Sequence, residues 1–171
     1  MYKKQKGIAI AWLLAIITLF SAMMAVYSVM AQANAVQKLI YDSTERLHGQ
    51  MSAIHSGLTN CALLYPAGNN GSGFHAAYPG GNNALVTALD CPGSPQTNKN
   101  LWTGRGGERI PNPPTGMSPW MYTNNAAGIV VQISSNGDPT YNTVLGNLQA
   151  KYAAAQTTLS GGILTYWVLK E

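Results

Sequence analysis

An apolar run without a charged residue occupies positions 8–29, near the beginning of the chain. Only Thr18, Ser21 and Ser28 place small hydroxyl side chains in it, and these can hydrogen-bond back to helix carbonyls. As a helix, a run of this length extends for about 33 Å, which is enough to cross the hydrocarbon core of a bilayer. The pattern predicts a membrane-spanning helix.

The apolar pattern then continues on one side only, at helical spacing. Its apolar members are Val36, Leu39, Ile40, Leu47, Met51, Ile54 and Leu58, and the polar residues between them include Lys38, Asp42, Glu45, Arg46 and Gln50. No proline lies between Met1 and Tyr65. The sequence therefore predicts one continuous helix from about residue 8 to about residue 60, whose part over 31–60 is amphipathic.

Glycine, proline and asparagine dominate residues 61–117, which predicts turns and a long, mostly irregular loop region held by packing. Within it, residues 84–89 are apolar and predict either a helical turn or a short strand. Strand patterns return in residues 118–171, strongly at 128–133 and 163–169 and more weakly at 120–122.

Between the two strong strands, apolar residues at helical spacing predict a helix over 140–158, which Gly161 and Gly162 separate from the last strand. The elements together predict the α+β class. A long N-terminal helix would pack on a small antiparallel sheet.

Three lysines, Lys3, Lys4 and Lys6, precede the apolar run and predict a cytoplasmic N-terminus, with the bulk of the chain outside. The two cysteines, Cys61 and Cys91, would then lie where disulfides persist. A bridge between them would close a loop of about 30 residues and contribute roughly 3–4 kcal/mol. Two cysteines without a nearby histidine pair suit zinc poorly, so we predict a disulfide and no metal site.

A secretory signal peptide shares several of these features, and small residues at positions 31, 33 and 35 fit its cleavage pattern. The uncharged run is longer than the usual apolar region of about 7–15 residues, which favours retention. Cleavage near Ala33 or Ala35 and the absence of cleavage remain open alternatives.

Charged residues form 9% of the chain, the net charge is +4, and no basic stripe predicts nucleic-acid binding.

Glu45 and His48 share a helix face, as in half of a di-iron site, but the other ligands are missing and a solvated face fits better. His48 and His55 are interpreted as surface or subunit-contact residues. We predict no cofactor.

No nucleophile motif is present, so we predict that the protein is not an enzyme. The glycine-rich residues 104–107 lack the strand and helix that flank a phosphate loop. Four aromatic residues would form either an exposed binding patch or, more commonly, a small core. They are Trp102, Trp120, Tyr122 and Trp167.

A short basic leader, MYKKQKG, ends in Gly7, and the apolar run follows at once. With the amphipathic helix, the loop region and the short sheet, this resembles the type IV pilins and the pseudopilins of type II secretion. The resemblance implies that a prepilin peptidase cuts between Gly7 and Ile8 and that Ile8 is then N-methylated. It implies three parts: a leader at 1–7, a transmembrane and filament-core helix at 8–30, and a head at 31–171.

The family usually carries glutamate at the fifth mature position, where this chain has Trp12. A carboxylate within a bilayer is costly and is kept for a partner, which in the family is the terminal amine of a neighbouring subunit. Trp12 cannot form that pair, so the resemblance implies a minor or atypical subunit. The residues expected to pack in the filament core are Ala9, Ala11, Trp12, Ala15, Ala22 and Ala25.

The expected function is that of a structural subunit of a type IV pilus or pseudopilus. The implied partners are other pilin subunits, prepilin peptidase, the inner-membrane assembly machinery and membrane lipid. The implied location is the inner membrane as a single-pass protein, and then the periplasm or a cell-surface filament. The alternatives are a secreted or a membrane-anchored binding or adhesion domain that does not polymerise.

Overall fold

The structure is a computed structural model that describes residues 5–102, 110 and 112–171, with side chains from residue 10 onward. It divides after Leu39 into two compact units, Met1–Leu39 and Ile40–Glu171. The first unit is helical where it is described. The second unit, which we call the head, contains the sheet and the loop region.

The first helix, α1, spans Gln5–Leu64 and confirms the continuous helix expected over residues 8–60. It ends just before Tyr65 and Pro66, because the residue before a proline is disfavoured in the helical conformation. Gly57 permits a close contact in the head. A Cβ atom at this position would lie 2.7 Å from Cζ3 of Trp102, so only glycine lets the indole ring approach the helix this closely.

The apolar stripe of α1 forms one side of the head's core. Its buried members are Ile40, Leu47, Met51, Ile54 and Leu58. The expectation was wrong for Val36 and Leu39, which are each 45% exposed and belong to the other unit. It was also wrong for Gln50, which was placed on the polar face but is buried, because its Oε1 accepts a hydrogen bond of 2.8 Å from Nε1 of Trp120.

The sheet is antiparallel and has five described strands in the spatial order β1-β2-β3-β5-β4. The strands are β1 Ala84–Leu85, β2 Met121–Asn125, β3 Gly128–Ser134, β4 Thr157–Ser160 and β5 Ile163–Lys170. The apolar segment at 84–89 contains both predicted forms, since a 3-10 turn, Val86–Ala88, follows β1 directly. One face of the sheet joins α1 in a single hydrophobic core, which confirms the α+β fold.

The helix predicted over residues 140–158 is shorter than expected. The second helix, α2, spans Pro139–Gln149, and the carboxylate of Asp138 caps it by accepting bonds of 2.7 and 3.2 Å from the backbone N–H groups of Thr140 and Tyr141. Residues 157–160 form strand β4 instead. The helical spacing of Tyr152 and Ala155 was therefore coincidental.

A hairpin turn explains strand β4. Gly161 and Gly162 have φ angles of 56° and 75°, and two positive φ angles are what a two-residue turn needs to match the twist of its strands. The register pairs Ser160 with Ile163 across this turn. The adjacent glycines between β-branched segments were the sequence signal for this hairpin, and the helical reading of the preceding segment missed it.

The loop region is attached to α1 by the predicted disulfide, which is present between Cys61 and Cys91 with a Cα–Cα distance of 5.8 Å. A backbone bridge between Asp90 and Asn100 adds a second fixed point. The side-chain amide of Asn70 also holds its own turn, because it donates to the carbonyl oxygens of Phe74 and Tyr78 at 3.0 and 2.8 Å. The region is irregular but anchored, as expected.

The buried stripe of α1 predicts a clear contrast between two leucines of the same helix. Leu47→Ala should lower the free energy of unfolding of the head by about 2–5 kcal/mol, because it leaves a cavity in a fully buried site. Leu63→Ala, at a side chain that is 72% exposed, should change it by less than about 0.5 kcal/mol. Denaturant unfolding followed by tryptophan fluorescence measures both, and equal losses would contradict the packing described.

Candidate functional site

The most unusual surface of the molecule is the first part of α1, where every described side chain from residue 10 to residue 39 is exposed. The bulky side chain of Trp12, for example, is 67% exposed. By length and composition, α1 is the one described helix apolar enough to cross a membrane. Water is a poor solvent for such a surface, so lipid or other apolar helices are its natural surroundings.

Polar groups in this segment are satisfied within the helix. The hydroxyls of Thr18 and Ser28 donate to the carbonyl oxygens three residues earlier, at 2.9 and 2.8 Å, and Ser21 donates to Ile17 at 2.9 Å. These bonds agree with the expectation that small hydroxyls return to the helix backbone. The serine and threonine hydroxyls of this segment therefore need no partner from the surrounding medium.

The predicted site residues at the beginning of α1 are only partly described. The backbone of Gly7 and Ile8 is helical, but the side chains of Ile8 and Ala9 are not described, and Lys3 and Lys4 lie entirely outside the described residues. The other predicted packing residues are all exposed. They are Ala11, Trp12, Ala15, Ala22 and Ala25.

Helix geometry separates these residues into two groups. At 100° per residue, one narrow stripe covers only about 80° of the circumference. This small-residue stripe consists of Ala11, Ala15, Thr18, Ala22 and Ala25. Trp12 lies about 100° away from Ala11, beside other large apolar residues. Another helix could approach the backbone closely along the stripe but not along the bulky face.

The histidines of α1, which we interpreted as surface or subunit-contact residues, also contact tyrosines of the head. The ring of His48 lies 5.5 Å from that of Tyr152, and Nδ1 of His55 lies 3.0 Å from the hydroxyl of Tyr166. Both are half-buried. Their role is to join α1 to the sheet side of the head.

Glu45 is paired with a lysine of the head. Its Oε1 accepts a hydrogen bond of 2.6 Å from Nζ of Lys151, and this bond, with the lysine charge, lowers the pKa of the carboxyl group. Among the described residues, no group of three or more histidine, cysteine or acidic side chains could hold a metal ion. The glycine-rich residues 104–107 lie outside the described part.

Three of the four predicted aromatic residues, Trp102, Trp120 and Tyr122, are buried. The Nε1 atom of Trp102 donates to the carbonyl oxygen of Val86 at 2.5 Å, so its polar edge is satisfied within the core. Trp167 is partly exposed, with Nζ of Lys170 5.6 Å from its ring centre. The aromatic residues therefore form a core rather than one exposed patch.

Buried tyrosines have shifted pKa values. Burial raises the pKa of Tyr122 well above its usual range, against a smaller opposing effect from its hydrogen bond with Asn124. Its hydroxyl donates to the carbonyl oxygen of Pro79 at 2.8 Å, which holds the loop region over the sheet. Burial and the neighbouring Tyr152 raise the pKa of Tyr166.

Comparisons with protein-family models, with curated proteins and with solved structures found no match to this chain.

The Tyr122 environment predicts alkaline sensitivity of the head. The folded state keeps this phenol protonated, whereas the unfolded state releases the proton near pH 10, so its contribution is complete below pH 10 and is lost as pH rises. The free energy of unfolding should fall above pH 10, with Tyr122 supplying about 1.4 kcal/mol per pH unit.

Tyr122→Phe should remove that part of the slope while the fold survives, because Nδ2 of Asn124 still donates to the carbonyl oxygen of Pro79 at 2.9 Å. Denaturant unfolding of both proteins at several pH values from 8 to 12 provides the comparison. Identical slopes would show that the tyrosine is not responsible.

Proposed function

We propose that this chain is a structural subunit of a filament of the type IV pilus or pseudopilus kind. Its apolar helix would hold it in the inner membrane before assembly and would enter the filament core afterwards. The observation that carries the proposal is an uncharged segment of α1 that begins directly after a lysine-rich leader ending in Gly7. Its described side chains, from residue 10 to residue 30, are all exposed.

The small-residue stripe supports assembly rather than anchoring alone. A helix that only crosses a bilayer needs apolar side chains of any size, because lipid is as apolar as the helix. Association between helices in lipid instead depends on close van der Waals contact, which small side chains permit. Four alanines and an internally hydrogen-bonded threonine on one side of α1 meet this requirement.

The disulfide supports the proposed orientation. The Cys61–Cys91 bridge belongs to the head, and such bridges persist in oxidising compartments outside the cytoplasm. Lysines before the apolar segment favour a cytoplasmic N-terminus. Both observations support a head on the outer side of the inner membrane, from which the filament would be built.

Trp12 bears on the kind of subunit that we propose. The resemblance would require a carboxylate here to pair with the terminal amine of a neighbour, and an indole ring offers no negative charge. The helix would therefore associate by packing alone. This favours a minor or atypical subunit over the main repeating one.

The mature N-terminus tests the proposal directly. We expect the protein purified from its own host to begin at Ile8 and to carry one added methyl group, as intact mass and N-terminal peptide sequencing would show. A product that begins near Asn34 or Val36 would support a secreted domain. A product that retains the leader and Met1 would support a simple membrane anchor.

The small-residue stripe provides a second test. Ala22→Leu keeps the helix apolar but adds bulk to the stripe, so the protein should still enter the inner membrane while its share of the sheared filament fraction falls at least about tenfold. Ala31→Leu makes the same change on the opposite side of α1 and serves as the matched control. Equal recovery of both variants in filaments would contradict packing along this stripe.

A further inference from the structure

The head contains a cleft that the filament proposal does not use. It lies between the turn at residues 69–72, the glycines Gly80 and Gly81, and residues 84–92, next to the disulfide. Its volume is about 480 Å³. Sites for small molecules usually have volumes of about 300–1,000 Å³, so the cleft is large enough for a ligand of one or two rings.

The walls of the cleft combine apolar and polar groups. Ala84 and Ala88 supply the accessible apolar surface, whereas Leu89, which also lines the cleft, is buried. Asp90 carries a negative charge and Lys99 a positive charge, so the formal charges of the cleft sum to zero. The cleft therefore has no net preference for an anion or a cation.

Several polar groups of the cleft have no hydrogen-bond partner among the described residues. Among the described residues, neither the carboxylate of Asp90 nor the ammonium group of Lys99 has a hydrogen-bond or ion-pair partner. Asn69 uses its Oδ1 to accept a bond of 2.8 Å from the N–H of Gly71, and its amide nitrogen makes no bond to the described residues. The cleft thus offers both free donors and a free acceptor.

The cleft is also held in place before any ligand arrives. The Oδ1 atom of Asn70 accepts from the N–H of Ser72 at 2.8 Å, and its Nδ2 donates to the carbonyl oxygen of Tyr78 at 2.8 Å. On the other side, Cys91 is bonded to Cys61 of α1. A preformed site loses less conformational freedom on binding than a flexible loop would.

We propose that this cleft binds a neutral saccharide of one or two rings. Saccharide hydroxyls donate and accept hydrogen bonds at once, which suits the free amide, ammonium and carboxylate groups together. The C–H face of a sugar ring suits the apolar surface of Ala84 and Ala88. A purely apolar ligand would instead desolvate two charges without replacing their hydrogen bonds, which is unfavourable.

Saturation-transfer NMR on the full chain tests this binding. The detergent should have a phosphocholine head group, because glucoside and maltoside detergents would themselves occupy a saccharide site. The probes are glucose, N-acetylglucosamine and maltose, with glycine and glucuronate for comparison. We expect at least one neutral sugar to bind with a dissociation constant of about 1 mM or below, and more tightly than glycine or glucuronate.

Two variants assign the binding to this cleft. Asp90→Ala should weaken it at least about tenfold, because it removes a charged acceptor, whereas Asp42→Ala on the exposed side of α1 should not. Ala88→Phe should abolish binding by filling the cleft, and Ala126→Phe, at an exposed hairpin position, should not. Retention of the disulfide and of the parent melting temperature confirms that each variant is folded.

The proposal is overturned if no neutral sugar binds with a dissociation constant of about 1 mM or below, or if glycine or glucuronate binds more tightly than every neutral sugar. It is also overturned if folded Asp90→Ala and Ala88→Phe variants bind as the parent does. These outcomes are independent of filament assembly, because binding is measured on the separate, detergent-solubilised chain.

Discussion

The head depends on one contact, the packing of the buried stripe of α1 against the inner face of the sheet. Leu47 and Leu58 have no exposed surface, and they lie in the same core as the strands. Most other attachments start from the same stretch of helix. Gln50 binds Trp120, and Cys61 bonds the loop region. The helix α1 therefore organises the whole head, although much of the head's backbone is irregular. The loop region needs few helices or strands of its own, because it is bonded to a helix that the core already holds in place.

In the proposed assembly, the same helix must satisfy two different surroundings. In the head, only a stripe of α1 is apolar, and its other positions carry groups such as Glu45, which pairs with Lys151. From residue 10 to residue 30, the helix has no charge, and its serine and threonine hydroxyls bond to its own backbone. This second arrangement is stable only where water is absent, whether in lipid or among similar helices. Continuous helical hydrogen bonding allows one element to serve both surroundings, because its backbone groups need no outside partner in either.

Sequence periodicity predicted the elements that have a strong local signal, and it was wrong where the deciding partner is distant. The helix expected over residues 8–60 and the strands at 128–133 and 163–169 are present, since their apolar spacing is sustained. The burial of Gln50 could not be read locally, because Trp120 lies 70 residues further along the chain. The disulfide was predictable, since two cysteines allow only one pairing. The small-residue pattern behind the proposed filament contacts is visible in the sequence. The contacts themselves involve other chains, so the structure of one chain cannot contain them.

Trp12 has a consequence for how the proposed assembly would respond to its surroundings. An ion pair inside an apolar filament core would be strong, and it would depend on the charge state of both partners. Without a carboxylate at this position, association depends on shape alone, so it should be nearly insensitive to salt and to moderate changes of pH. It also loses the attraction that would draw a neighbour's terminal amine into register. In the proposed filament, the small-residue stripe of α1 would then determine both where a neighbouring helix packs and how tightly it binds. A single stripe suits a subunit that needs contact with neighbours on one side only.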